Sequence, residues 1–187
     1  YVGLPLAIEF GKKYHTVGFD IDKKKISSLC KFEDPNGEIS IKEIKKSNKL
    51  AFSFSREDLI KCNFYIICVP TPINKKNQPD LSKLKNATIL ISDVISNLDF
   101  VVFESTVYPG VTENYCIKII EKKTKLKAIY NDKNKNGFYC GYSPERLNPG
   151  EKDRKIYEIT KIVSGTSKYA TKIINKVYGS VLNNNIF

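Results

Sequence analysis

Two hydrophobic periods take turns along this chain, and that alternation limits the possible folds more than any other feature. Apolar runs of strand length ("HTVGFDID", "LAFSFS", "NFYIICV", "DFVVFEST", "FYCGYS", "ITKIVSG") are separated by stretches with apolar residues at helical spacing. The helical stretches are "LPLAIEFGKKY", a Lys-rich segment ending near Cys30, "ISIKEIKKS", the short "REDLIKC", "LSKLKNATILISDVISNL", residues 111–122 and "TSKYATKIINKVYGSV". The fifth of these is expected to be one long helix capped near Asp80 or Ser82, and "NFYIICV" reads as a fully buried strand. "DPNG", "PTPINKKNQPD" and "NDKNKNG" are polar, Pro- or Gly-punctuated connections. Strands alternating with helices imply βαβ units and a parallel sheet covered on both faces, hence an α/β fold. No internal repeat or second domain interrupts residues 1–187.

Composition narrows the partners. At 187 residues, 41% hydrophobic and 27% charged, the chain is long enough to bury a core without staples. Its longest apolar runs fall far short of the ~20 residues needed to cross a membrane, so no membrane partner is expected, and no signal-peptide pattern is visible. The five Cys lack CxxC spacing and His15 stands alone. Neither metal site nor disulfide framework follows, and reduced thiols in a cytoplasm are expected. Cys68 and Cys140 fall inside strand-like runs and read as small buried hydrophobes. The net charge of +11 raises a nucleic-acid reading, but only three Arg occur and the Lys residues are spread along helices and loops. Solvated helix faces explain the charge, and no nucleic-acid partner is expected.

The opening "YVGLPLA" places a Gly at the mouth of the first helix, with Pro5 in its first turn, where a missing N–H costs nothing. The following β run ends in Asp20. This is the second half of a G-x-G-x-x-G dinucleotide-binding fingerprint, with Gly3 as its last Gly. The first two glycines, and the strand leading to them, are expected before Tyr1. In such a turn the backbone touches a pyrophosphate that rests on free helix N–H groups. Asp20 falls about 20 residues after the expected first Gly, where an acid bonds the adenosine ribose and favours NAD over NADP. Three further strand ends, "PTP" (70–72), "EST" (104–106) and "PERLNPG" (144–150), bring hydroxyls and carboxylates to the same sheet edge, where ligands of such sheets bind.

Taken together, "YVGLPLA", "VGFDID", "VPTPI", "PDLS", "ESTVYPG" and "CGYSPERLNPG" resemble the N-terminal domain of the UDP-glucose/GDP-mannose dehydrogenase family, in order and across essentially the whole chain. The last motifs are most similar to the branch acting on UDP-N-acetylhexosamines (GlcNAc/GalNAc), since "PERLNPG" stands where other members carry a "PEFLREG"-like stretch. The resemblance implies a Rossmann-type doubly wound parallel sheet lacking its first strand, and NAD-dependent oxidation of a sugar nucleotide's C6 alcohol to a carboxylate. Two NAD⁺ are used per turnover. The first hydride transfer gives an aldehyde, which a catalytic Cys captures as a thiohemiacetal; the second gives a thioester, which water hydrolyses.

Carried over by motif, Val2 and Gly3 belong to the pyrophosphate turn, Asp20 to the ribose, and Lys25 flanks it. Thr71 and Thr106 line the nicotinamide side, with Thr106 also placing a water. Glu145 acts in the proton transfers and the hydrolysis, with a pKa raised by apolar walls. Arg146, Leu147 and Asn148 face the sugar nucleotide, so Glu145 and these three form the substrate loop. None of the five Cys has the family's Gly-Gly-x-Cys-x-Pro-like context. The resemblance therefore implies that the nucleophile, the oxyanion-stabilising Lys and Asn, the UDP-binding domain and a central helix pairing subunits into a homodimer or larger assembly lie beyond Phe187. The chain alone is then expected to be inactive. A β-hydroxyacid-type dehydrogenase, which shares the fingerprint but not "ESTVYPG" or "GYSPER", remains as one alternative, and a Rossmann binding module, prompted by the net charge of +11, as the other.

Overall fold

The computed structural model describes residues 2–144, 160–182 and 186. Helices α1 (Gly3–Gly11), α2 (Lys23–Cys30), α3 (Ile41–Lys46), α4 (Ser82–Ser92), α5 (Ile117–Thr124) and α6 (Lys168–Val181) alternate with six strands. These are β1 (Thr16–Phe19), β2 (Leu50–Ser53), β3 (Phe64–Ile67), β4 (Phe100–Phe103), β5 (Tyr139–Tyr142) and β6 (Ser164–Gly165). The fold is α/β with mostly parallel strands, as in a Rossmann NAD-binding domain. β1 pairs with β2, and β3, β4, β5 and β6 pair in that order in a second sheet. Every pairing is parallel except the last: β6 runs antiparallel to β5 through two residue pairs.

The local reasons are read from side chains. Asp22 starts α2 by accepting from the backbone N–H groups of Lys24 and Lys25. Ser40 and Glu43 close a reciprocal capping box at α3, and the Ser167 hydroxyl caps α6 through the Ala170 N–H. The connections sequence reasoning marked as polar turns are built from Asn side chains. Asn74 accepts from the N–H groups of Lys76 and Gln78, and Asn131 and Asn134 close the turns around 131–137.

The largest core cluster joins β3, β4 and β5 to α4 and α5, with Val101, Phe103, Ile120 and Phe138 almost wholly enclosed. Each such side chain contributes roughly 1.5–3 kcal/mol relative to exposure. On the other face Leu6 and Phe10 of α1 pack with Val102, Ile174, Tyr178 and Leu182. Ile8 of α1 turns instead to Ile26, Leu29 and Ile44. One helix thus serves both sheets, which exchange no ladder hydrogen bonds with each other among the described residues.

Four expectations need correction. The long helix ends at Ser92, about a turn and a half short of Leu98, because Asp93 ties down to Arg56 and Lys123 and Leu98 adopts a left-handed φ of 68°. Its start lacks a side-chain cap, although Asp80 accepts from the Ser82 N–H just ahead of it. β3 is not fully buried: Tyr65 and Ile67 are, whereas Phe64 and Ile66 are only partly covered, since β3 is an edge strand of its sheet. Finally, "ITKIVSG" yields only a two-residue antiparallel strand, so the sheet is not wholly parallel.

Candidate functional site

The carboxyl ends of β1, β3, β4 and β5 lie along one edge, and α1 begins beside them. α1 starts at Gly3 with Val2 as its flanking residue, and no side chain caps it. Pro5 contributes no N–H, and among the described residues no side chain caps the first-turn N–H groups of Gly3 and Leu4, which lie under the positive end of the helix dipole. Among the described residues, a Cβ built on Gly3 would meet only the Cys68 Cβ, at 3.4 Å. The helix mouth therefore faces the end of β3, and Gly3 leaves its backbone open to an approaching anion.

At the end of β1, Asp20 accepts the Asp22 N–H at 3.0 Å through Oδ1 and pairs with the Lys25 ammonium at 2.8 Å through Oδ2. Partial burial raises its pKa. The Lys25 hydrogen bond and charge and the backbone N–H groups outweigh this and hold the carboxyl below its usual range. Asp20 and Lys25, predicted separately, are thus one half-exposed unit. Beside it the exposed apolar side chains of Ile21 and Phe54 follow β1 and β2, with the Lys23 ammonium 5.2 Å from the Phe54 ring centroid. Sequence reasoning missed both; an apolar residue directly after the strand-end acid was the available signal.

The next two strand ends are stitched together by hydroxyls. Thr71 donates to the Thr106 carbonyl at 2.5 Å, and Ser105 donates to the Val69 carbonyl at 2.6 Å. The Glu104 N–H continues the ladder to the Ile67 carbonyl, and the Ser143 N–H donates to the Phe103 carbonyl. Thr71 and Thr106 are therefore brought together, with Thr106 exposed. Ser143 is fully buried, and its hydroxyl has no hydrogen-bond partner among the described residues. Glu145, Arg146, Leu147 and Asn148 lie outside the described residues.

Burial pushes the Cys116 thiol up to about 11 and raises Cys140 as well, so neither supplies a thiolate near neutral pH. Cys68 is half-buried and packs on the α1–α6 cluster. Among the described residues no helix is long and apolar enough to cross a membrane.

Residues 1–182 match the model of the UDP-glucose/GDP-mannose dehydrogenase family, NAD binding domain. The chain is 42% identical over 182 residues to UDP-N-acetyl-D-glucosamine 6-dehydrogenase of Pseudomonas aeruginosa, covering 97% of this chain and 42% of that protein. It is 44% identical to the Salmonella typhi protein of the same name, covering 97% and 41%. The solved UDP-D-ManNAc dehydrogenase of Pyrococcus horikoshii superposes with a TM-score of 0.83 at 31% identity, over 100% of this chain and 44% of that one. The chain thus spans about two fifths of the length of the relatives it matches. It belongs to the UDP-glucose/GDP-mannose dehydrogenase family, as an NAD-binding domain whose cofactor is NAD.

Proposed function

We propose that this chain is the cofactor domain of an enzyme that oxidises the C6 alcohol of a UDP-sugar, a UDP-N-acetylhexosamine, to the uronic acid. The observation that carries the reading is the joined edge: an uncapped helix N-terminus, an ionised Asp20 and the linked Thr71 and Thr106 follow one another along the ends of parallel strands. NAD⁺, when bound, accepts the hydrides. The chain's own residues bind and orient. The N–H groups at Val2 and Gly3 take the pyrophosphate, Asp20 accepts from the ribose hydroxyls with Lys25 steadying it, and Ile21 offers the adenine an apolar surface. Thr71 and Thr106 flank the nicotinamide side, and Thr106 places a water. Glu145 is assigned proton transfer and activation of the hydrolytic water, and Arg146, Leu147 and Asn148 the sugar nucleotide. The nucleophilic Cys is assigned to the remainder of the enzyme, which also carries the pairing of subunits into a homo-oligomer. A cytoplasmic location fits its reduced thiols.

The test is cofactor choice in the intact enzyme. Asp20 repels a 2′-phosphate and holds free ribose hydroxyls, so NAD⁺ should be used at least ~10-fold more efficiently than NADP⁺. Loss of one charge-assisted hydrogen bond to the ribose in Asp20→Ala, at ~1.5–3 kcal/mol, should raise the KM for NAD⁺ about 10- to 150-fold. Equal use of the two cofactors by the wild-type enzyme would remove the assignment of Asp20.

A further inference from the structure

At the centre of the molecule lies a charged cluster that the proposed chemistry does not use. Glu104, directly after β4, is 1% exposed, Lys161 is 2% exposed, and Tyr178 of α6 is wholly enclosed. The Lys161 ammonium pairs with Glu104 Oε2, and the Tyr178 hydroxyl donates to Oε1 at 2.6 Å. The same ammonium sits 5.8 Å from the centroid of the Tyr178 ring. Around Tyr178 the surroundings are apolar, with Leu6, Val102, Val163 and Ile174, and Phe10 of α1 meets its ring edge-on at 5.7 Å.

A pair so deeply buried is a poor source of net stability, because desolvating two ions offsets most of their attraction; an apolar pair of similar volume would hold the core as well. What the ions add is a single geometry. Glu104 has few alternatives to the position where an ammonium and a phenol both reach its carboxylate. Its backbone N–H donates to Ile67, and the next two residues carry the Ser105–Val69 and Thr71–Thr106 links. The opposite end of the cluster is equally fixed, since Ser180 of α6 accepts from Lys13 and Tyr14, just past α1.

We infer that Glu104, Lys161 and Tyr178 form a positioning cluster for the oxidation: they set the turn at 104–106 against β3 and α1, and with it Thr106. They do not touch substrate. The inference rests on the proposed function, and its test is arranged so that the two fail differently.

Three variants of the intact enzyme are compared by melting temperature, kcat and KM: Glu104→Gln, the double Glu104→Gln/Lys161→Met, and Tyr178→Phe. Glu104→Gln leaves an ammonium buried without its counter-charge, so both melting temperature and kcat fall, kcat at least ~10-fold. The double variant removes both charges, and its melting temperature returns close to wild type. Its kcat stays at least ~10-fold low, with the sugar-nucleotide KM within about twofold of wild type, as expected when an interaction serves the reacting geometry and not ground-state binding. Tyr178→Phe deletes the hydrogen bond to Glu104 Oε1 in an apolar setting, keeps the fold, and lowers kcat about threefold or more. Recovery of kcat together with melting temperature in the double variant overturns the inference. So does wild-type turnover by Tyr178→Phe, which decides the matter if the double variant does not fold. A wild-type enzyme unable to oxidise UDP-sugars overturns the functional reading and this inference with it. An active wild type with full-rate variants overturns the inference alone.

Discussion

Gly3 and Gly11 bracket the same helix and are there for different reasons. A Cβ on Gly11 would lie 2.5 Å from the Leu50 Cβ and 3.2 Å from its Cα, so α1 rests directly on β2 at that point. Gly11→Ala should lower stability by about 1–3 kcal/mol through overpacking, less up to ~1 kcal/mol of helix propensity regained. A Cβ on Gly3 meets an ordinary contact, so Gly3→Ala should leave the thermal melt nearly unchanged and weaken NAD⁺ binding by blocking the pyrophosphate. Melts and NAD⁺ titrations of the two variants check this; loss of stability in Gly3→Ala with normal NAD⁺ affinity would reverse the assignment. Asp20 adds a pH signature. Its carboxyl is held below the ordinary value, so its contribution is full above that ordinary value and is lost only as pH falls through the lowered one. NAD⁺ affinity should accordingly be insensitive to Asp20 from neutral pH down into the usual carboxylate range.

Secondary elements divide between those that periodicity reveals and those that partners decide. The four-residue cores of β1 to β5 lie inside the runs "HTVGFDID", "LAFSFS", "NFYIICV", "DFVVFEST" and "FYCGYS", because a strand covered at least in part on both faces needs contiguous apolar residues whatever its neighbours. The end of α4 was not legible, since it depends on Arg56 and Lys123 reaching Asp93 from distant segments. The direction of β6 was hidden too: two residues of strand carry no signal of parallel or antiparallel pairing. At the site, Thr71 and Thr106 stood out by position, but the bond between them is tertiary. The buried Lys161 had a weak signal, a lone cation in the apolar run "ITKIVSG", which reads equally well as a solvated Lys. The split of the sheets has a measurable consequence. No fully buried residue occurs in β1 or β2, whereas β4 and β5 are mostly buried. Amide hydrogen exchange should show β1 and β2 opening together at lower free energy than β4 and β5. Equal protection in all four would mean that the two sheets open as one unit.

Across the whole molecule, α1 organises the rest. Its buried face reaches the Val102–Tyr178 cluster with Leu6 and Phe10 and the α2–α3 cluster with Ile8, while its free N-terminus opens onto the strand ends. Packing and binding thus share one nine-residue helix, and the net charge of +11 is carried largely on the outside, where it favours an anionic ligand without defining a site. The proposed two-step oxidation of a UDP-sugar by NAD⁺ has a fixed stoichiometry. With limiting UDP-N-acetylhexosamine and excess NAD⁺, the intact enzyme should form two NADH for each sugar nucleotide consumed, with the uronic acid as product. One NADH per sugar with aldehyde released, or no NADH at all, would contradict the proposed oxidation.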